Sequence, residues 1–346
     1  MIHIRRLIAP ATIVFLGLLF LTYHFITQSN PRLTTRVQRR TGKGGDGREL
    51  TTTVIPRNPY NISEHGFAFS SVRRMLFFIG YPRSCSTLLS SFLDAHPNVV
   101  IANEYNFFNV WPEMPEKPEK YERDFIYSEL LRNSMLSVSP KGIRRIRDNV
   151  GEGELAYRVP NEWNGKYNKT IEIIGDKHAS ATHALTQRNA HIWGVKRLHQ
   201  IVNVPIQFLH IIRNPYDNIA TLAIRAVTNR NFILEKKILD DEESIYYKIN
   251  QYFNLVSKAN FLRKKYDVID IHSIDLLRHP KETMKKLCAK LEIKCSEKYL
   301  NNCASLLFKT PSQSRKNVKW TPALIERVKK LKKRFDFLRQ YSFTSD

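Results

Sequence analysis

The sequence is poor in cysteine and in acidic residues, and each shortage excludes a class of protein. Four cysteines in 346 residues are too few for a scaffold built on disulfides. Cysteine and histidine also lack the close spacing of structural zinc ligands, so we expect no metal. Acidic residues number 32 against 55 lysines and arginines, a formal net charge of +23. Because no nucleic-acid-binding module accompanies this charge, we expect a different polyanion, such as a nucleotide, an acidic glycan, an acidic peptide or a membrane.

Glycine is scarce in the one loop that is typical of a phosphate site. The apolar run Met75–Ile79 predicts a buried strand, and Leu88–Leu93 has the apolar spacing of one helix face. Residues 80–87 between them hold one glycine and no lysine, so the Gly-x4-Gly-Lys pattern of nucleotide kinases is absent. Loop N–H groups and a helix N-terminus still favour an anion there, and Arg83 adds a forked donor.

Two later strands end in basic side chains. The run Ile171–Ile174 predicts a strand that leads to Lys177 and His178, and Ile206–Ile212 predicts one that leads to Arg213. Short strands are also expected at residues 99–101 and 267–271. Ligands of open α/β sheets lie at the carboxyl ends of the strands. A parallel sheet would therefore bring these side chains to one edge.

The loop and the later arginine resemble the two nucleotide signatures of sulfotransferases. Residues 81–87, Tyr-Pro-Arg-Ser-Cys-Ser-Thr, are similar to the 5′-phosphosulfate loop, and Arg213 with Thr221 is similar to the 3′-phosphate signature. Golgi tyrosylprotein and carbohydrate sulfotransferases are the most similar in style. The resemblance implies a P-loop-like, three-layer α/β fold with a central parallel sheet flanked by helices. It also implies 3′-phosphoadenosine 5′-phosphosulfate as donor and a hydroxyl group of a glycan, a tyrosine or a small alcohol as acceptor.

The same resemblance implies a role for each candidate residue. Glu104 would take the acceptor's proton, with His178 as the alternative base, and Arg83 and Lys177 would stabilise charge on the transferring group. The implied contacts to the donor are Arg83, Ser84, Cys85, Ser86, Thr87, Arg213, Thr221, Arg225 and Arg315. No metal is implied, because basic side chains neutralise the charge that Mg²⁺ handles in kinases.

Cys85 departs from the pattern, since relatives usually have glycine at this position. If the backbone there requires a positive φ, a side chain strains it by roughly 1–2 kcal/mol. Beside Arg83 at a helix start, we also expect an activated thiol. The departure leaves open a catalytically weak, membrane-anchored protein that binds a nucleotide or polyanion. An ATP-dependent phosphotransferase is the other alternative, and the missing Gly-Lys counts against it.

A long stretch without Asp, Glu, Lys or Arg predicts a membrane anchor. Leu7–Ile26 is 20 residues long, enough to cross a bilayer after a cytosolic tail at residues 1–6. The polar segment 27–71 predicts a flexible stem. Residues 72–346 are expected to form the sulfotransferase domain. Basic residues that follow the anchor favour a cytosolic domain.

Two glycosylation sequons, at Asn61 and Asn168, favour the lumen instead. The resemblance implies the same side of the Golgi membrane, so we expect a single-pass type II protein. Three cysteines cluster near the C-terminus, and we expect a lumenal disulfide between Cys295 and Cys303.

Overall fold

The computed structural model describes residues 62–139, 157–187, 194–227, 238–307 and 311–345. The predicted anchor, most of the predicted stem and the sequon at Asn61 lie outside these ranges. Within them, no helix combines the length and the hydropathy needed to cross a membrane.

A five-stranded parallel sheet forms the centre of the fold, as the sequence predicts. Its strands are β1 (Arg74–Ile79), β2 (Val99–Asn103), β3 (Ile173–Lys177), β4 (Ile206–Ile212) and β5 (Val268–His272). Their spatial order is β2-β3-β1-β4-β5, so β1 lies in the middle and the chain crosses it between β3 and β4. A crossing of this kind opens a crevice at the carboxyl edge, which is where ligands of such sheets bind.

Strand β3 lies further along the chain than the sequence predicts. The sequence predicts the strand at residues 171–174, but β3 begins at Ile173 and continues through Gly175 and Asp176 to Lys177. A methyl group at Gly175 would lie 1.7 Å from the carbonyl oxygen of Leu76 on β1. Glycine is therefore needed for the close approach of the two strands. Lys177 is in consequence the last residue of the strand and is held by the sheet.

Helices cover both faces of the sheet. They are α1 (Ile62–Ser70), α2 (Ser86–Asp94), α3 (Phe107–Glu113), α4 (Arg123–Ser137), α5 (Ala181–Ala184), α6 (Val195–Val202), α7 (Pro215–Val227), α8 (Glu242–Lys265), α9 (Ser273–Arg278), α10 (Pro280–Leu291), α11 (Glu297–Ser305) and α12 (Pro322–Lys332). Short 3₁₀ turns occur at Pro118–Tyr121, Ser314–Asn317 and Asp336–Leu338.

Strand β1 is buried on both faces, which explains its unbroken apolar sequence. Met75 and Phe77 pack in one cluster with residues of α1, α4 and α6. Leu76 and Phe78 pack in a second cluster with residues of α2, α10 and α11. The sheet therefore lies between two helical layers, and a third apolar cluster joins α7, α8 and α12.

Two features differ from the sequence-based expectations. Helix α1 lies inside the segment predicted as a stem, yet its Ala68 and Phe69 are buried in the core, so the folded domain includes it. The expected disulfide between Cys295 and Cys303 is wrong, because Cys295 is bonded to Cys288 and Cys303 is a buried free thiol. Cys288 ends up next to Cys295 because the chain reverses directly after α10, a turn that cysteine spacing cannot show.

Candidate active site

The carboxyl ends of four strands bring the predicted site residues to one edge of the sheet. The loop with Arg83 follows β1, and Glu104 follows β2. Lys177 ends β3, and Arg213 follows β4. These positions are dictated by parallel pairing of β2, β3, β1 and β4, whose residues are aligned in register. Residues from four separate parts of the sequence therefore lie at one edge of the sheet.

The loop between β1 and α2 has an unusual backbone. Arg83 has φ 67° and Cys85 has φ 75°. Both values lie in the left-handed region, which residues other than glycine rarely adopt. Cys85 precedes the first residue of α2, and its side chain does not cap the helix. Gly80 N–H donates to Thr182 Oγ1 across 2.6 Å, which ties the start of the loop to α5. The condition for backbone strain at Cys85 is therefore met.

The Cys85 thiol is not activated, and the expectation from the sequence is wrong. Burial raises the pKa of this thiol, and the positive charge of Arg213 lowers it by a smaller amount. The sequence shows that a basic residue and a helix start are nearby, but it does not show how far the folded loop shields the sulfur from water. At neutral pH the side chain is therefore a neutral thiol.

Among the predicted donor contacts of the loop, the hydroxyls lie at different depths. Ser84 is buried, whereas Ser86 and Thr87 in the first turn of α2 are half-buried. Arg83 is exposed, and its guanidinium makes no hydrogen bond or ion pair within the described ranges. Within the described ranges the loop therefore combines an unpaired cation with the first turn of a helix, an arrangement suited to an anion.

Glu104, Lys177 and His178 form a compact charged cluster. Lys177 Nζ is paired with Glu104 Oε1 and also donates to Thr87 Oγ1 across 2.6 Å. His178 Nε2 lies 3.4 Å from Glu104 Oε2. Glu104 N–H donates to the carbonyl of Lys177 across 2.8 Å, which fixes the two residues to each other through the backbone as well. The structure thus brings the predicted base, the predicted lysine and the alternative base together.

Asp176 supports this cluster from below and was not assigned a role from the sequence. Its buried carboxylate accepts the backbone N–H of Tyr105 across 3.3 Å and that of Phe107 across 2.9 Å. These bonds hold the turn in which Glu104 and Asn106 both have positive φ. Burial raises the pKa of Asp176 to about 7, although its two backbone hydrogen bonds lower it. The signal in the sequence is an aspartate two residues after the run 171–174.

Arg213 joins the two predicted nucleotide signatures. Its Nη1 donates to the carbonyl of Arg83 across 2.9 Å and to Thr221 Oγ1 across 3.1 Å. Its Nη2 donates to Ser314 Oγ across 3.2 Å and to the carbonyl of Ser312 across 3.4 Å. The guanidinium therefore connects the loop after β1, helix α7 and the late loop before α12.

Arg315 and Arg225 lie in different environments from Arg213. Arg315 is buried, and its Nη1 donates to Asp217 Oδ2 across 2.6 Å. Its backbone N–H also donates to Asp217 Oδ1 across 2.9 Å, so this pair anchors the late loop on α7. Arg225 is exposed near the end of α7. Direct contacts from either residue to a nucleotide stay predictions.

No curated protein sequence matches the chain. Similar solved structures include sulfotransferase STF9 from Mycobacterium avium, at 13% identity, 80% coverage of each chain and a TM-score of 0.39. A sulfotransferase from Alicyclobacillus acidocaldarius is similar at 15% identity, covering 78% of this chain and 97% of the other, with a TM-score of 0.39. Mouse SULT7A1, complexed with PAP, is similar at 13% identity, covering 77% and 87%, with a TM-score of 0.38.

A family model described as the sulfotransferase family matches residues 76–297, more than half of the chain. This segment contains the loop after β1, Glu104, Lys177 and the strand–arginine–helix unit of Arg213. On this match, the chain belongs to the sulfotransferase family.

Proposed function

We propose that this sulfotransferase uses 3′-phosphoadenosine 5′-phosphosulfate as donor and a hydroxyl group as acceptor. The observation that carries the proposal is the position of Arg213, which contacts both Thr221 and the carbonyl of Arg83. A donor with phosphates on the 5′ and 3′ sides of one ribose needs two anion-binding elements side by side. ATP, whose phosphates form one chain, needs only the loop after β1.

The cluster at the ends of β2 and β3 supplies the groups that the transfer step requires. The acceptor oxygen forms a bond to sulfur while the bond from sulfur to the phosphate oxygen breaks. Glu104 accepts the proton of the acceptor hydroxyl. Lys177 stabilises the negative charge that develops on the departing oxygen, a role supported by its contact with Thr87 at the start of α2. Arg83, exposed in the loop, adds a second positive charge.

One observation favours a second candidate, a catalytically weak protein that binds nucleotide or polyanion. The left-handed backbone at Cys85 carries a side chain where relatives usually have glycine. Such strain weakens a loop that must close around the donor. The phosphotransferase alternative lacks comparable support, because the loop has no lysine.

Calorimetric titration separates these candidates. We expect adenosine 3′,5′-bisphosphate to bind the full-length protein more tightly than ATP, and heparin not to displace it. Incubation with labelled donor and a panel of glycan, tyrosine-peptide and small-alcohol acceptors should then label one class. Preference for ATP, or nucleotide binding without transfer to any acceptor, would contradict the proposal. The net charge of +23 supports an acidic glycan or peptide as the first acceptors to try.

We also propose that the domain faces the Golgi lumen, anchored by residues 7–26. Two observations support this orientation. The sequon residue Asn168 is exposed, and disulfides such as the one between Cys288 and Cys295 form and persist in oxidising compartments. Expression in mammalian cells should give a gel shift on glycosidase treatment, and Asn168→Gln should remove part of it. Absence of any shift, together with cleavage of the domain by protease added to the cytosolic side, would reverse this orientation.

A further inference from the structure

A polar network behind Glu104 fixes which nitrogen of the His178 ring carries hydrogen. The backbone N–H of Ser180 donates to His178 Nδ1 across 3.1 Å. Because a backbone N–H can only donate, Nδ1 is the unprotonated nitrogen of the ring. In a neutral imidazole the hydrogen is then on Nε2.

The side chains around Ser180 fix the position of the ring. Ser180 Oγ lies 2.7 Å from His178 Nδ1 and 2.8 Å from Asn106 Oδ1. Asn109 Nδ2 donates to Asn106 Oδ1 across 2.7 Å and to Ser180 Oγ across 3.2 Å. An amide oxygen can only accept, so the Ser180 hydroxyl donates its hydrogen to Asn106 Oδ1, and the assignment of Nδ1 depends on the backbone N–H of Ser180. The ring is therefore held from its Nδ1 side by the turn after β3 and by α3.

The opposite nitrogen of the ring faces the predicted base. His178 Nε2 lies 3.4 Å from Glu104 Oε2, while Lys177 Nζ is paired with Glu104 Oε1. Burial lowers the pKa of His178; Glu104 raises it and Lys177 lowers it by smaller amounts, so the ring is neutral at pH 7. Each carboxylate oxygen of Glu104 thus faces one donor. Oε1 faces the ammonium of Lys177, and Oε2 faces the neutral ring of His178.

We propose that His178 is a positioning residue whose Nε2–H holds Glu104 Oε2, so that the carboxylate is oriented to receive the acceptor's proton. This inference rests on the proposed function, in which Glu104 is the base. A catalytic base at His178 would need a lone pair on Nε2 and hence a hydrogen on Nδ1. The N–H of Ser180, which points at Nδ1, disfavours that tautomer, because two hydrogens would then face each other.

Two substitutions of His178 distinguish positioning from base catalysis. His178→Ala removes the donor to Glu104, and we expect single-turnover sulfate transfer to fall about tenfold, the size of one hydrogen bond, with nucleotide affinity unchanged. His178→Gln restores an N–H donor and should recover transfer to within about threefold of wild type. His199→Gln on α6 is the matched control, an exposed histidine outside the site. Equal inactivity of the Ala and Gln variants, or full activity of His178→Ala, would overturn the inference.

A second measurement does not depend on activity. Nitrogen-15 NMR of the histidines in the full-length protein reports the tautomer, and the His178→Gln spectrum identifies the His178 signals. We expect a protonated Nε2 and an unprotonated Nδ1 at pH 7. An Nδ1–H tautomer or a doubly protonated ring would refute the inference. If the wild type transfers no sulfate to any acceptor, the proposed function fails, and the tautomer alone then decides whether His178 donates to Glu104.

Discussion

Cys85 is the residue at which sequence and backbone geometry conflict most directly. Its φ of 75° is one that glycine adopts freely, and a Cβ there costs roughly 1–2 kcal/mol. The loop keeps this geometry because its ends are fixed by β1 and α2. Strain held at a binding loop in this way is relieved by removing the side chain.

Cys85→Gly is therefore expected to raise the free energy of unfolding by about 1 kcal/mol and to retain or increase transfer activity. Cys85→Ala is the matched control, because it removes the sulfur but keeps the Cβ that causes the strain. Chemical denaturation of the three proteins measures the difference. If Ala stabilises as much as Gly, the sulfur and not the backbone is responsible. A large loss of donor affinity in Cys85→Gly would identify the thiol as a required contact.

Replacement of Arg213 is expected to impair nucleotide binding, whereas replacement of Glu104 is expected to impair turnover. Arg213 is assigned to a phosphate whose charge does not change during transfer, so Arg213→Ala should weaken binding of adenosine 3′,5′-bisphosphate ~10-fold or more, from about 1.5–3 kcal/mol per charged hydrogen bond. Glu104→Gln should leave that affinity nearly unchanged and slow turnover by about 10²–10⁴. Nucleotide titration beside single-turnover transfer measures both. Normal turnover in Glu104→Gln would show that the base is assigned to the wrong residue.

Strand β3 organises the site as an element, because three consecutive residues at its end have different tasks. Gly175 permits the close approach to β1, Asp176 holds the turn after β2, and Lys177 contacts Glu104 and Thr87. Successive side chains of a strand point to opposite faces of the sheet, so Gly175 and Lys177 lie on one face and Asp176 on the other. The end of β3 thus couples sheet packing directly to site geometry.

Asp176 is expected to make stability fall as pH rises. Burial raises its folded-state pKa to about 7 from the ordinary 3.8, so between these values the folded protein binds the proton more strongly than the unfolded chain. The stabilisation is present below about pH 4 and is lost by about pH 7, with a slope of up to about 1.4 kcal/mol per pH unit. Denaturation of wild type and Asp176→Asn from pH 4 to pH 8 measures it. Parallel pH profiles for the two proteins would contradict the assignment.

Two glycines in different elements are expected to respond in opposite directions to alanine. At Gly175 the added methyl would meet the Leu76 carbonyl, so Gly175→Ala should destabilise by more than about 3 kcal/mol, beyond ordinary overpacking. At Gly66 in α1 nothing lies within 4 Å of the added atom, so Gly66→Ala should stabilise by about 0.5–1 kcal/mol. Thermal unfolding compares the pair. A tolerated Gly175→Ala would mean that β1 and β3 are not packed this closely.

At the scale of the whole molecule, apolar runs were the reliable signal in the sequence. Runs at β1 and β4 predicted buried strands because parallel strands are covered on both faces. The sequence predicts β3 too early in the chain, because Gly175 is required for the close contact with β1 and Asp176 for the turn after β2. Neither requirement is apparent from the neighbouring residues. Helix α3 was hidden by Pro112, since three prolines nearby are typical of a loop.

The site was predictable to the extent that it depends on strand ends. Lys177 and Arg213 follow strands, and the resemblance placed Glu104 beside them. The support given by Asp176 and the pairing of Arg315 with Asp217 depend on contacts between distant segments. No local pattern encodes such contacts, so they required the structure.

The central position of β1 has a consequence for biosynthesis. Its two neighbours, β3 and β4, begin at Ile173 and Ile206, long after β1 ends at Ile79. At ~5–20 residues per second, synthesis reaches β4 roughly 6–25 s after β1. Until β3 is made, roughly 5–19 s after β1, both edges of this apolar strand are unpaired, a state prone to aggregation. The order of the strands therefore delays completion of the sheet around β1 until more than half of the chain has been made.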